Sequence, residues 1–243
     1  MNAPYYVHPI FETLAFLAGL RYYFALRKKR GDAISDPHRL WILAAAGAGA
    51  LLGSRILGAL EHPAWLKEPT LASLLTALNN KTIVGGLLGG VAGVEIVKKI
   101  LGETRRSGDL FVFPILLAMM VGRVGCLLTS LEDRMAGVPT SLPWGVDFGD
   151  GIPRHPLMLY ELHFLGASWI VLEAARRRCP LEEGSAFKLF MAGYLLFRGL
   201  VEFLKPDWRC PWGLTAIKTA CLLGIAYYWP VYFRPSRSLV KHA

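Results

Sequence analysis

Three arginines and two glutamates lie inside long apolar stretches of the chain, where ionisable side chains are costly and usually serve a function. They are Arg55, Arg123, Arg198, Glu161 and Glu202. A guanidinium group stays charged when it is desolvated, and its planar fork of donors matches phosphate oxygens. Three such groups in apolar segments indicate a site for an anionic headgroup.

Neighbouring residues in the sequence suggest a partner for Arg198 and open space beside Arg123. Glu202 follows Arg198 by four positions, so the two side chains share one helix face and can pair. We interpret this pair either as part of a catalytic site or as an ion pair that fixes helix packing. Gly122 and Gly125 flank Arg123 and are expected to open space beside its guanidinium group.

A histidine stands at the start of the next polar block. His155 follows Arg154 and is expected either to act as a general base, to bind a headgroup, or simply to begin a helix. His163 lies two helical turns further and is expected to be packed or hydrogen-bonded rather than catalytic. Tyr160 and Glu161 are expected to orient an arginine as supporting partners, the arginine being Arg154 or Arg123.

Seven apolar segments must position these side chains. A membrane-spanning helix needs about 20 mostly apolar residues, and candidates run over 8–27, 38–62, 82–102, 110–131, 155–176, 185–205 and 213–233. The chain is 53% hydrophobic with a mean hydropathy of +0.38, and its charges cluster between the segments. This pattern predicts an all-α polytopic membrane protein rather than a soluble domain.

Clusters of lysine and arginine predict the orientation. They lie at 27–30, 98–106, 176–178 and in the tail at 234–241. Seven crossings with the N-terminus outside and the C-terminus in the cytoplasm put all four clusters inside, as the positive-inside rule requires. With a rise of about 1.5 Å per residue, the five buried charges and Glu12 of the first segment then share the outer half of the bilayer.

We expect a single transmembrane domain over residues 1–243 with two long outer connections. Residues 63–81 contain an amphipathic stretch that is expected to lie on the outer surface. Residues 132–154 are rich in Gly, Pro and Asp, and an ordered loop of that length is often functional.

Glycine pairs predict close contact between two of the helices. The sequence GGLLGG at 85–90 contains the spacings Gly85–Gly89 and Gly86–Gly90, and Gly49–Gly53 is another. In a membrane such spacings let helix backbones approach each other. The alternative is that Gly85 and Gly86 form a smooth wall that admits a lipid chain.

Several other classes of function are disfavoured. The net charge of +9 resides at the ends of apolar segments, which indicates topology determinants and contacts with anionic membrane lipids rather than nucleic acid binding. No CxxC pair occurs among the cysteines, so we expect neither a metal nor another cofactor. The N-terminus lacks a basic signal-peptide region, so the first apolar run is expected to remain as a helix.

Four sequence blocks together resemble one known family. GRVGC at 122–126, RHP at 154–156, LYE at 159–161 and GYLLFRGLVEFLK at 193–205 are similar to blocks of the prolipoprotein diacylglyceryl transferase family and occur in its order. With GSR at 53–55, the resemblance covers most of the chain.

The resemblance implies a reaction and a set of residues. The family transfers a diacylglyceryl group from phosphatidylglycerol to the lipobox cysteine of a prolipoprotein at the bacterial plasma (inner) membrane. Arg123 matches the family's phospholipid-binding arginine, Arg198 its essential arginine, and Glu202 the partner of that arginine. Arg55 matches an arginine that follows a glycine in the second helix.

The chain departs from the family pattern at positions that bear on the chemistry. Val84 stands where the family has the histidine of a His-Gly-Gly motif, and Cys126 stands where it has an asparagine. The proton of an acceptor thiol would then go to His155 or to Glu202, or the arginines would activate the thiol directly. The departures leave open a transferase with a different acceptor, or a non-catalytic phospholipid-binding or lipid-transport protein.

Overall fold

The computed structural model describes residues 7–61, 65, 70–106, 108–128, 136–179, 181–205, 214–233 and 239. The basic tail at 234–238 and 240–241, as well as Cys210, lie outside the described residues. Nine α-helices are found among the described residues, and they run over Val7–Arg30 (α1), Asp36–Glu61 (α2), Leu71–Leu78 (α3), Ile83–Leu101 (α4), Asp109–Leu128 (α5), Leu157–Arg178 (α6), Ser185–Val201 (α7), Ala216–Tyr227 (α8) and Trp229–Phe233 (α9). A 3₁₀ turn, Glu202–Leu204, continues α7.

The helices confirm the all-α polytopic class, and each of the seven predicted segments holds a helix. Within the described residues, α2, α5 and α6 are long and apolar enough to cross a membrane. The count of seven crossings and the orientation stay predictions. Helix α4 is apolar over most of its length, but Glu95, Lys98 and Lys99 gather in its second half.

The chain divides into two compact units, which are described separately. The first contains Met1–Asp32, Arg106–Pro206 and Pro230–Ala243, and the second contains Ala33–Arg105 and Asp207–Trp229. The single-domain organisation predicted from the sequence stays a prediction.

In the first unit, α1 and α5 pack antiparallel through small residues. A side chain on Gly125 would collide with Phe11, and one on Gly19 would press on Ala118. Between these two contacts lies Gly122, whose nearest neighbour from α1 is Ala15. Small residues at successive turns therefore bring the two helices close together along their length.

One end of the first unit gathers basic residues from several elements. The Arg30 guanidinium group lies 5.5 Å from the ring centre of Phe113, and Arg106 pairs with Glu182 at 2.6 Å. At the same end the Asp109 carboxylate accepts hydrogen bonds from the first backbone N–H groups of α7, at 2.9 Å and 3.0 Å. An acidic side chain of one helix thus caps the N-terminus of another.

The connection between α5 and α6 contains a small sheet that the sequence did not predict. Its strands are Ala136–Pro139 (β1), Val146–Asp147 (β2) and Pro153–Pro156 (β3), in the antiparallel order β1-β3-β2. The strands are too short, and too rich in proline, to give an alternating pattern. A functional role for this connection stays a prediction.

In the second unit, α2 and α4 form an antiparallel pair with interlocking glycines. A Cβ atom added to Gly49, Gly53, Gly85, Gly89 or Gly93 would overlap backbone atoms of the facing helix. This confirms the packing interpretation for Gly85. Gly86 lies off the contact line, with its nearest neighbours at 3.7 Å and 3.8 Å, so a lipid-facing role for Gly86 stays a prediction.

Substituting one of these glycines is expected to disrupt the second unit. Gly53→Ala places a methyl group against backbone atoms of α4, and such overpacking costs about 1–3 kcal/mol. Gly47→Ala, two turns earlier on α2, meets nothing within 4 Å and is expected to be neutral, or more stable by up to about 1 kcal/mol. Thermal unfolding of both variants in detergent measures the difference. Equal stability of the two would contradict the packing.

The stretch at 63–81, whose position on the outer surface stays a prediction, contains helix α3 in its described second part. Helix α3 begins with a capping box, in which Thr70 and Ser73 exchange hydrogen bonds. Residues 62–64 and 66–69 lie outside the described residues. Helix α8 of the same unit is capped by Glu61, whose carboxylate accepts from the Ile217 N–H at 2.9 Å.

Candidate functional site

Four charged side chains are buried together with a tyrosine at the end of the first unit opposite its basic end. Arg123 lies near the end of α5, Glu161 near the start of α6, and Arg198 in the last turn of α7, with Glu202 directly after it. Their exposed fractions are 8%, 1%, 5% and 1%. Buried charges must be paired or hydrogen-bonded, so their partners define the site.

Arg123 is held by an acidic residue from the neighbouring helix. Its Nη2 atom lies 2.6 Å from Oε2 of Glu161. The other carboxylate oxygen, Oε1, accepts a hydrogen bond of 2.9 Å from the hydroxyl of Tyr194 on α7. Three helices thereby fix one guanidinium group, and Glu161 orients Arg123 rather than Arg154.

Arg198 and Lys205 both pair with the carboxylate of Glu202. Arg198 Nη2 lies 2.8 Å from Glu202 Oε2, and Lys205 Nζ lies 3.5 Å from Oε1 of the same group. The side chain of Glu202 is fully buried, and those of Arg198 and Lys205 are 7% and 10% exposed. Within the described residues, Nη1 of Arg198 is buried and has no hydrogen-bond partner.

The two ion pairs belong to one electrostatic cluster. Tyr194 donates to Glu161 and precedes Arg198 by four positions on α7, which places it on the same helix face as Arg198. Three cations, Arg123, Arg198 and Lys205, lie against the carboxylates of Glu161 and Glu202. A buried, partly unsatisfied guanidinium group in such a cluster is suited to an anion.

A chain of hydrogen bonds joins the small sheet to the start of α6. The Trp144 indole N–H donates to the Tyr160 hydroxyl at 2.8 Å, and His155 Nδ1 lies 2.9 Å from the same hydroxyl. The arrangement that satisfies all three groups has Tyr160 donating to His155 Nδ1, which leaves the proton of neutral imidazole on Nε2. His155 then presents a donor. His163, in contrast, donates from Nδ1 to the Leu159 carbonyl at 2.7 Å.

Arg154 has a partner of its own within the loop. Its guanidinium group binds one oxygen of Asp150 at 2.6 Å and 3.0 Å. This contact holds the pKa of the Asp150 carboxyl below its usual range. Of the two arginines proposed as partners, Glu161 therefore holds Arg123, while Tyr160 is hydrogen-bonded to Trp144 and His155.

Two expectations about neighbouring residues are corrected. The space beside Gly125 is filled by Phe11. This glycine therefore allows α1 to pack closely against α5 and does not leave space for substrate beside Arg123. Glu12 is exposed and does not belong to the buried cluster. Gly122 is less crowded, with Ala15 Cβ at 4.0 Å, and its contact with substrate stays a prediction.

Sequence reasoning missed Tyr194, Lys205 and His8. Tyr194 precedes Arg198 by four positions, so the helical spacing that paired Arg198 with Glu202 also places Tyr194 on that face. Lys205 was interpreted only as the end of a helix. His8 lies 3.6 Å from Cys126 Sγ, a contact across 118 positions that spacing does not predict.

The remaining predicted residues belong to the second unit. Arg55 donates from Nη1 to the carbonyl of Leu78 at 2.8 Å, which caps the end of α3. One donor of this arginine is therefore used structurally. Val84, the residue before the glycines, is 1% exposed and fills its place with an apolar side chain.

Comparisons with known proteins match this chain along most of its length. A family model described as prolipoprotein diacylglyceryl transferase matches residues 3–233. The phosphatidylglycerol–prolipoprotein diacylglyceryl transferase of Vibrio vulnificus is 31% identical over 208 residues, which cover 80% of this chain and 74% of the relative. That of Geobacter sulfurreducens is 29% identical over 222 residues, covering 83% and 84%.

Other relatives match over a shorter region. The Bordetella parapertussis transferase is 35% identical over 128 residues, 49% of this chain and 48% of the relative, so the match spans about half the length of that protein. The family consists of multi-pass proteins of the bacterial plasma (inner) membrane, and the long apolar helices agree with that location. Because the family model covers nearly the whole sequence, the chain belongs to the prolipoprotein diacylglyceryl transferase family.

Proposed function

We propose that this protein transfers a diacylglyceryl group from phosphatidylglycerol to a cysteine thiol of a lipobox-containing prolipoprotein. The supporting observation is the buried cluster in which Glu161 fixes Arg123 and Glu202 fixes Arg198, so that two guanidinium groups are held at one end of the first unit. A phosphodiester headgroup carries one negative charge. Nη1 of Arg198 offers a donor that no described residue uses.

The proposed reaction is a displacement at a glycerol carbon. The acceptor thiolate attacks the carbon that joins the diacylglycerol to the phosphate, so a C–S bond forms while the C–O bond breaks. The electron pair leaves on oxygen, and glycerol phosphate is released. Arg123 and Arg198 bind the phosphate and stabilise the charge that develops on it, which is where most catalytic stabilisation is expected.

Positioning accounts for the other residues of the site. Glu161 and Glu202 hold the two guanidinium groups in fixed orientations, and Tyr194 fixes Glu161 in turn. Preorganised donors avoid the reorganisation that water would need during the reaction. No metal or other cofactor takes part in this mechanism.

The acceptor thiol must lose its proton, and two groups are proposed to accept it. Glu202 is next to Arg198, while His155 lies at the mouth of the site. In the hydrogen-bonded form described above, His155 Nε2–H is placed to bind a headgroup oxygen. A base role for His155 requires Nδ1 to release the Tyr160 hydroxyl.

The proposed function is tested with purified protein, labelled phosphatidylglycerol and a synthetic lipobox peptide. Lipidated peptide and an equal amount of glycerol phosphate are the expected products. A peptide with serine in place of the cysteine is the matched control and should remain unmodified. Absence of product with the cysteine peptide, while phosphatidylglycerol still binds, would refute transfer to this acceptor.

The second candidate is a phospholipid-binding or lipid-transport protein without catalysis. The observation that favours it is Val84, which is buried where the family has a histidine. The same assay separates the two candidates, because binding without product supports the second. A further assay replaces the peptide with a mixture of bacterial prolipoproteins. Lipidation of a different thiol-containing protein would support a transferase with a changed acceptor.

His155→Ala is expected to slow transfer more than His163→Ala. His155 Nδ1 is hydrogen-bonded to Tyr160, and Gly137 lies against both His155 and Leu204, two residues after Glu202, whereas His163 is exposed and bound to its own helix backbone. A general acid–base contribution is worth about 10²-fold or more, and a headgroup hydrogen bond less. Initial rates against pH for both variants measure this. An unchanged rate and pH profile for His155→Ala would make His155 structural.

We further propose seven crossings with the N-terminus outside. In the first unit, the charged cluster and the basic residues lie at opposite ends of the helices, so the positive-inside rule places the cluster outside. Arg154, in the first unit, is proposed to contact the phospholipid at its periphery, while a contact of Arg55 or Gly86 with phospholipid stays a prediction from the sequence. The last strand of the small sheet, β3, contributes His155, which is hydrogen-bonded to Tyr160 at the start of α6.

A further inference from the structure

Cys126 lies in an environment that differs from that of an ordinary buried cysteine. Its Sγ atom is 3.6 Å from Nε2 of His8 and 3.9 Å from Nη1 of Arg123. The contact of Phe11 with Gly125 fixes α1 against α5, and this places His8, one turn before Phe11, opposite the thiol. The sulfur atom therefore has an imidazole group on one side and a guanidinium group on the other.

This combination supports nucleophilic chemistry at sulfur. The thiolate is the reactive form of cysteine, and a neighbouring histidine and cation both promote it. We propose that Cys126 is a thiol–disulfide exchange site that reacts with disulfides of low molecular mass. The mixed disulfide excludes phospholipid from Arg123, and this second part rests on the proposed function.

The exchange reaction balances without any further reactant. Cys126 Sγ attacks one sulfur of the small disulfide, so a new S–S bond forms and the original S–S bond breaks. The electron pair leaves on the second sulfur, which takes the proton that His8 accepted from Cys126. Disulfides are the appropriate class because the cluster end of the unit faces the oxidising side of the membrane in the proposed orientation.

The consequence for lipid binding follows from distance. A thiol fragment attached to Sγ begins 3.9 Å from Nη1 of Arg123, which is within the space that a phosphate bound to this group would need. The modification is reversible, since a reductant restores the free thiol. Cys126 would thus couple the phospholipid site to the redox state outside the membrane.

The test uses full-length protein in detergent with 2,2′-dithiodipyridine as the probe. One variant retains Cys126 as its only cysteine, and a second retains only Cys221. Both thiols are buried, with exposed fractions of 8% for Cys126 and 1% for Cys221. We expect Cys126 to react at least about tenfold faster than Cys221. His8→Phe, and the smaller change His8→Asn, should each slow Cys126 while both variants keep the unfolding temperature of the parent. Equal rates for the two cysteines, or no effect of either His8 variant, would overturn the exchange site.

A binding measurement tests the second part. Phosphatidylglycerol in nanodiscs should protect Cys126 from the probe, and the modified protein should lose phosphatidylglycerol binding until dithiothreitol is added. Binding by Cys126→Ser should not respond to the probe. Full binding by the modified protein would overturn the coupling. If the unmodified protein fails to bind phosphatidylglycerol, the proposed function is refuted. The reaction rates of Cys126 and Cys221 with the probe still test the exchange site independently.

Discussion

Replacing Arg123 with methionine is expected to abolish phosphatidylglycerol-dependent transfer and also to destabilise the protein. The change removes the partner of Glu161, whose carboxylate is 1% exposed. An uncompensated buried charge of this kind costs about 3–5 kcal/mol. Thermal unfolding in detergent and the peptide lipidation assay measure the two effects separately.

A double variant separates the structural effect from the functional one. In Arg123→Met with Glu161→Gln, the glutamine amide still accepts the hydrogen bond from Tyr194 but carries no charge. Most of the lost stability should return, because the buried carboxylate is gone. Transfer should remain absent. Wild-type transfer by this stable double variant would remove Arg123 from the mechanism.

Replacing Arg198 with lysine is expected to reduce transfer on the order of a hundredfold. The ammonium group can still pair with Glu202, so the protein should fold and retain most of its stability. It lacks the planar fork, however, and cannot offer the donor that Nη1 presents beside the ion pair. The initial rate of peptide lipidation at saturating phosphatidylglycerol measures the loss.

Arg176→Lys serves as the matched control for this change. Arg176 is also an arginine near the end of a helix and pairs with Glu173 at 2.8 Å, but it lies at the basic end of the first unit. Its substitution should leave the transfer rate unchanged. A loss as large as that of Arg198→Lys would show that general charge, rather than the cluster, controls the rate.

The positions of the helices were predictable because apolar length is a local property of the sequence. The first segment was expected at 8–27 and is observed at Val7–Arg30. The Arg198–Glu202 pair was also predictable, because helical spacing alone puts the two residues on one face. The depth of each charge along its helix correctly grouped Arg123, Glu161, Arg198 and Glu202 in one layer.

Depth along a helix does not reveal its rotation, and this explains the errors. Glu12 was grouped with the buried charges by its depth, yet its side chain is exposed. Gly125 faces α1 because Phe11 packs into it, and nothing near Gly125 in the sequence indicates Phe11. Lys205 follows Glu202 by three positions, a spacing that also brings side chains together in an α-helix, so this contact could have been predicted from the sequence.

The pairing of α1 with α5 has a consequence for the order in which the protein is made. Phe11 and Gly125 meet in the finished structure, but more than a hundred residues of chain separate them. At the usual rate of translation, α5 is synthesised on the order of ten seconds after α1. During that time the glycine-rich hairpin of α2 and α4 can close by itself. The first helix to be synthesised thus meets its partner only after α2, α3 and α4 have been made.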